Sequence, residues 1–304
     1  MFIMREHEAF LMKLKFTPHQ KTVLRLHLSN RISLAQAHEC LNHLETPAAG
    51  RRMKECFTKR IETTLEAVER WREEPFRHCV TLADRHYPAV LRSLSDPPLV
   101  LYGQGDWQTL GKPAVALVGA RHCTPSASAH TFELARAIAK QGWCVVSGLA
   151  RGIDTAAHRG ALASGVPGST VAVLGTGIDV MYPPENAPLA HQIVDSGGLL
   201  LTEFALGRAP LARHFPQRNR IVAALSRATI VAQAALHSGS MITARLAAEM
   251  GREVLAVPGR PDEALSEGTN ELIRQGAGLL ACVGDLWSAF GLCAQMSTRS
   301  HETS

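Results

Sequence analysis

The chain has 304 residues, 46% of them hydrophobic and 19% charged, with a formal net charge of +5. This is the make-up of a globular protein with room for one large domain and a smaller partner, and it excludes collagenous and low-hydrophobicity disordered chains. The seven cysteines are scattered without a CxxC, and no apolar run reaches membrane-spanning length. Free thiols in a reducing, cytoplasmic setting are expected, with no signal peptide and no membrane span.

The first 75 residues read as a small helical domain. Apolar residues recur at helical spacing over 21–28, 34–44 and 55–71, the last with Phe57, Ile61, Leu65 and Val68 in one stripe. The basic pairs Arg51-Arg52 and Lys59-Arg60 suit either nucleic acid or, given the interleaved Glu55, Glu62 and Glu66, a solvated helix face. Residues 75–105 form a connector punctuated by Tyr87-Pro88, Pro97-Pro98 and Gly103, with a short strand predicted over 99–102.

From residue 113 strand and helix patterns alternate. Strands are predicted at 114–118, 144–147, 170–174, 199–202, 228–233, 253–257 and 278–281. Helices are predicted at 125–141, 153–164, 186–196, 216–226, 240–250, 268–275 and 283–290, with glycines such as Gly142, Gly165 and Gly251 where they should stop. Such alternation implies an α/β fold with a doubly wound, mostly parallel sheet spanning 76–291, and the polar residues from 292 to 304 read as a frayed tail.

Ligands of such sheets bind at the carboxyl ends of the strands, so the loops there carry the chemistry. The loop after the first core strand is Gly119-Ala120-Arg121-His122-Cys123-Thr124. It lacks the later glycines of GxGxxG, and Arg121 stands where a pyrophosphate needs bare backbone, so no dinucleotide cofactor is expected. Gly119, Gly148 and Gly239 each precede a helix start, where free amides suit a phosphate. Ser238-Gly239-Ser240 with Thr243 offers hydroxyls beside such amides, and plain N-capping reads equally well there.

Charge distribution favours a polyanion. Between Glu203 and Glu249 there is no acidic residue, while Arg208, Arg213, Arg218, Arg220, Arg227 and Arg245 fall in that interval with His214 and His237. Within it, Phe215 is placed either to stack an unpaired base or to act as a hydrophobic staple. Arg218 and Arg220 fall on different helix faces, so one is expected to meet the ligand and the other to pair with an acid such as Asp154 or Glu203. Arg151 reads equally as a ligand contact or an internal partner. Asp154 and His158 lie one helical turn apart, but no nucleophile, zinc spacing, magnesium cluster or Walker loop accompanies them, so neither catalysis nor a metal is expected.

These pieces resemble one family. Tyr87-Pro88, Asp96-Pro97-Pro98, Val118-Gly119-Ala120-Arg121, the run from Ser147 to Asp154, Tyr182-Pro183-Pro184-Glu185-Asn186, the run from Phe215 to Arg220, Ser238-Gly239-Ser240 and Ala256-Val257-Pro258-Gly259 occur in the order seen in the DNA-processing protein A family, DprA or Smf. The resemblance covers about two-thirds of the chain. It implies an extended Rossmann-like domain that binds single-stranded DNA, works as a homodimer and loads the RecA recombinase in natural transformation, without being an enzyme. The candidate DNA-binding residues are then Gly119, Ala120, Arg121, Gly148, Arg151, Arg213, His214, Phe215, Arg218, Asn219, Arg220, Ser238, Gly239, Ser240 and Thr243. The chain departs from the family pattern at Ala212, where a lysine is usual, at Gln233, where a glutamate is usual, and at Leu236 and His237; with the short tail after Gly291, a C-terminal winged helix is not expected. A nucleotide-processing enzyme on a similar fold, with Glu203 or Asp154 as acid–base, is the alternative.

Overall fold

The computed structural model describes residues 16–29 and 59–292. The helix predicted at 34–44, the Arg51-Arg52 pair and the tail from 293 lie outside the described residues. In chain order the elements are α1 (Pro18–Ser29), α2 (Lys59–Arg72), β1 (Arg77–Thr81), α3 (Ala89–Arg92), β2 (Val100–Gly105), β3 (Ala114–Val118), α4 (Pro125–Lys140), β4 (Cys144–Ser147), α5 (Ile153–Leu162) and β5 (Thr170–Val173). There follow α6 (Ala187–Asp195), β6 (Leu199–Thr202), α7 (His214–Leu225), β7 (Ala228–Val231), α8 (Gly239–Glu249), β8 (Glu253–Ala256), α9 (Glu267–Arg274), β9 (Gly278–Leu279) and α10 (Val283–Ala289).

The described strands form one sheet in the order β1-β2-β6-β5-β4-β3-β7-β8-β9. From β6 to β9 neighbours run parallel, whereas β1 and β2 add antiparallel strands at one edge. The predicted α/β, doubly wound, mostly parallel sheet is therefore present. Its strands are short apolar runs because both faces are covered. Along β3, Ala114, Ala116 and Val118 pack with Ile221 and Val222 of α7. Val115 and Leu117 face the other way, onto Leu134 and Ile138 of α4 and Ala157 of α5. Helices α1 and α2 bring Leu24, Leu65 and Val68 into a third cluster with Tyr102, Leu200 and Ile193.

Each core strand begins where its apolar run predicts, and several stop one or two residues early. The strand β1 was not predicted: Arg77-His78-Cys79-Val80-Thr81 has too little apolar content, and only Cys79 and Thr81 are buried. It forms because it pairs with β2 from Arg77↔Gln104 to Thr81↔Val100. Strand β2 likewise runs three residues beyond its predicted end at 102, since β6 pairs its other edge as far as Gly105↔Leu199. Ladder hydrogen bonds on both sides outweigh the poor strand propensity of its glycines. The start of α4 follows the sequence: the Thr124 hydroxyl accepts from Ala127 N–H and Pro125 occupies the first turn. Among the described residues no helix is long and apolar enough to cross a membrane.

One buried polar contact carries a pH dependence. The Thr170 hydroxyl donates to the Val145 carbonyl at 2.7 Å, so it accepts from His158 Nδ1, also 2.7 Å away. His158 thus carries a proton on Nδ1, while its Nε2 is buried without a partner, which favours the neutral ring. Burial, and secondarily the nearby Arg218 cation, push its pKa from 6.5 down to about 3. The unfolded chain therefore takes up a proton below pH 6.5 that the folded chain refuses until about pH 3. Stability should fall as pH drops through that window, by about 1.4 kcal/mol per pH unit once well below the unfolded value. Urea unfolding from pH 7 to pH 5 checks this: His158→Gln should show a flatter profile than the parent, and equal profiles would contradict it.

Candidate functional site

The sheet reverses its winding direction at β3. The chain steps outward from β3 through β4, β5 and β6, and then returns to pair β7 against the other edge of β3. At such a reversal the loops after neighbouring strands part and leave a crevice at their carboxyl ends. A cavity of about 610 Å³ lies there. It is bordered by the loops after β3, β4 and β7, by the loop after β5 through Tyr182, and by the first turns of α7 and α8.

Gly119, Ala120, Arg121, Gly148, Phe215, Arg218, Asn219, Ser238, Gly239, Ser240 and Thr243 all line this cavity. Residues separated by more than a hundred positions are thus brought together. The loop after β3 is held from both sides: Ala120 N–H donates to the Gln233 carbonyl at 2.7 Å, and Ile153 N–H donates to the Ala120 carbonyl at 3.1 Å. Gln233 is itself buried, and its side chain accepts from Thr124 N–H and donates to the Thr124 hydroxyl. A carboxylate could accept the first of these bonds but could not donate the second. Arg121 is exposed, with its guanidinium carbon 5.3 Å from the centre of the Phe215 ring.

Beneath this pair lies a buried charged floor. Arg218 is 5% exposed and donates from Nη1 to the Val173 carbonyl at 2.6 Å. A β-carbon at position 148 would sit 1.8 Å from that nitrogen, which is why the loop after β4 carries Gly148. Burial pulls the Arg218 pKa down to about 10; Asp154 opposes the shift and Arg121 adds to it. The Asp154 carboxylate accepts from Gly148 N–H and Ala150 N–H, so it organises the loop. Burial raises the Asp154 pKa against the pull of Arg218 and those amides. Asp154 is the one carboxylate among the described lining residues. A cleft with two arginines, a helix start and one loop-bound carboxylate presents positive potential to solvent.

At the start of α8 the Ser238 hydroxyl makes no capping bond to the helix. It meets the Ser240 hydroxyl at 2.7 Å, while Asn219 Nδ2 donates to the Gly239 carbonyl and Thr243 Oγ1 to the same carbonyl. Plain N-capping is therefore not what Ser238 does.

Four candidate residues lie outside the cavity lining. Arg220 is buried and clasps Glu203 with two bonds, Nη1–Oε1 at 2.5 Å and Nη2–Oε2 at 2.8 Å, while Nε donates to the Asp96 carbonyl. Of the two arginines, Arg218 is thus the one in the cleft and Arg220 the one paired with an acid. His214 is buried, stacks on Phe204 with centroids 4.1 Å apart, and places Nδ1 3.2 Å from the Gly175 carbonyl. Arg151 pairs with Glu185 on the protein surface. Arg213 is exposed just before α7. The Asp154–His158 pairing does not form, since Asp154 turns to loop amides and His158 to Thr170. Ala212 lines the cavity at the position where the resemblance anticipates a lysine, so that wall lacks one cation.

Sequence reasoning missed Tyr182, which lines the cavity from the loop after β5. Its signal was available: that loop leaves the same sheet edge as the glycine loops.

The family comparison decides the relationship. The model of the family "DNA recombination-mediator protein A" matches residues 78–291. This chain belongs to the DNA recombination-mediator protein A family. Among its relatives, DNA processing protein DprA of Streptococcus pneumoniae is 41% identical over 210 residues, covering 69% of this chain and 73% of that protein. Protein Smf of Escherichia coli is 40% identical over 214 residues, covering 70% of this chain but only 57% of its own length. Two solved structures of DNA processing protein A share the fold. The X-ray structure from Streptococcus pneumoniae matches with a TM-score of 0.71 at 32% identity, over 94% of this chain and 98% of that one. The protein from Helicobacter pylori, whose structure was described for its single-stranded DNA binding mode, matches with a TM-score of 0.63 at 36% identity, over 70% of this chain and 95% of that one.

Proposed function

We propose that this member of the recombination-mediator family binds single-stranded DNA in the cleft at the reversal of the sheet and acts without catalysing a reaction. The observation that carries this is the Arg121–Phe215 pair: a cation resting on an aromatic ring, at the open side of a positively charged cleft. A guanidinium suits a backbone phosphate and an aromatic face suits an unpaired base, and neither reads sequence. The acids that an enzymatic reading would need are engaged elsewhere, Glu203 with Arg220 and Asp154 with loop amides. The Helicobacter relative's single-strand binding supports the same reading.

In that role the chain would act in the cytoplasm as a homodimer that hands its strand to the RecA recombinase during natural transformation. An open sheet edge supports the dimer: β9 pairs only with β8 among the described strands, and Leu279 on it is 51% exposed. A division at about residue 75 between a helical region and the DNA-binding domain is supported by the family match, which begins at residue 78.

Fluorescence anisotropy with a single strand, its duplex and a mononucleotide tests the reading. The single strand is expected to bind with little sequence preference, well ahead of the duplex. Tight binding of the mononucleotide with no preference for the oligonucleotide would favour the nucleotide-processing alternative.

A further inference from the structure

We propose that Tyr182 is a second base-stacking residue of the cleft, beside Phe215. The inference rests on the single-strand reading above and adds a contact to it. The chain has three tyrosines. Tyr87 and Tyr102 are buried at 3% and 0% exposure, whereas Tyr182 is 40% exposed and borders the cavity. Large aromatic side chains gain most from burial, so an open one at a cleft rim calls for a ligand or a partner surface.

Its ring centre lies 5.6 Å from that of Phe215, with the planes inclined at 44°. The two rings do not lie flat on one another, so Tyr182 is not closed off by its neighbour. With Arg121 on the Phe215 ring, three flat groups border one side of the cleft: a guanidinium, a phenyl and a phenol. Stacking platforms for unpaired strands are built from such groups, because every base offers a π-face whatever its identity.

The loop that carries Tyr182 is fixed in advance. The Thr176 hydroxyl donates to the Val180 carbonyl at 2.6 Å, and Gly207 N–H donates to the Asp179 carboxylate at 2.8 Å. On the other side, Asn186 Nδ2 donates to the Leu149 carbonyl at 2.9 Å, tying this loop to the one that carries Gly148. An aromatic ring presented on a pinned loop loses little conformational freedom when a base settles on it. The bases expected here are those of a strand already held by Arg121 and Phe215, so the substrate class is single-stranded nucleic acid of at least two unpaired bases.

Anisotropy titrations of the full chain with an oligothymidylate and with an abasic strand of equal length test the proposal. Tyr182→Ala should weaken oligothymidylate binding by about fivefold or more, the range that base–aromatic stacking supplies. Tyr182→Phe, which keeps the ring, should bind within about twofold of the parent on the same scale. On the abasic strand Tyr182→Ala and the parent should bind alike, and the salt dependence should not change, because no phosphate contact is removed. Unchanged oligothymidylate binding by Tyr182→Ala overturns the proposal, as does an equal loss on the abasic strand, which would mark a structural role. If the parent fails to bind oligothymidylate at all, the single-strand reading falls with it; if the parent binds and only the Tyr182 result fails, that reading stands.

Discussion

Arg220→Met should destabilise the fold by about 3–5 kcal/mol, because it leaves the Glu203 carboxylate buried without its partner. Glu203 and Arg220 are 5% and 9% exposed, and both guanidinium Nη atoms bond the carboxylate. The same guanidinium donates to the carbonyls of Asp96 and Gln217, so it joins the connector before β2 to α7. Replacing both partners at once removes the stranded charge. Arg220→Met with Glu203→Leu is therefore expected to recover much of the loss, the signature of a buried pair in a double-mutant cycle. Urea unfolding at neutral pH reads both variants. A single variant as stable as the parent would mean that Glu203 reaches water or another cation when Arg220 is gone.

Phe215→Ala should weaken single-stranded DNA binding by about 1–3 kcal/mol, or roughly 5- to 150-fold, the worth of one stacked base. Phe215 is the second residue of α7 and is only partly buried. Its ring meets two cleft groups, Arg121 at 5.3 Å and Tyr182 at 5.6 Å, and packs over the backbone of Gly175, where a β-carbon would come within 2.8 Å of Cδ1. A hydrophobic staple would instead pack along its own helix. Phe215→Trp should retain binding, since the indole keeps a π-face. Equilibrium anisotropy at fixed salt distinguishes the two readings. A Phe215→Ala protein that binds DNA like the parent but melts at lower temperature would restore the staple.

Much of the fold was legible because its signal is local. Parallel strands buried on both faces must be continuous apolar runs, and 114–118 and 144–147 read as strands for that reason. Glycines and a Thr-Pro start mark helix ends through backbone geometry alone. The strand β1 was not legible because its pairing with β2, and not its own composition, makes it a strand. The site divides along the same line. Arg121, Phe215 and the serine loop were visible as loop chemistry at one sheet edge. Spacing showed that Arg218 and Arg220 face different ways but not which faces the cleft. That depends on Gly148 leaving space for one guanidinium and on Glu203 waiting for the other, contacts between segments far apart in the chain. Arg151 and His214 are site candidates by sequence, yet Glu185 and the Phe204 ring engage them. Tyr182 entered only as part of a family motif, since no local spacing shows that its ring borders the cavity the other loops form.

The most direct test of the cleft as a DNA site is the salt dependence of single-strand affinity, measured by anisotropy for the parent and Arg121→Ala. The parent's log affinity should fall linearly with log salt, with a slope of about 0.7 per phosphate contacted. Arg121→Ala should bind more weakly and show a slope smaller by about 0.7, one phosphate fewer. An Arg121→Ala protein with the affinity and slope of the parent would contradict the assignment of this cleft to DNA.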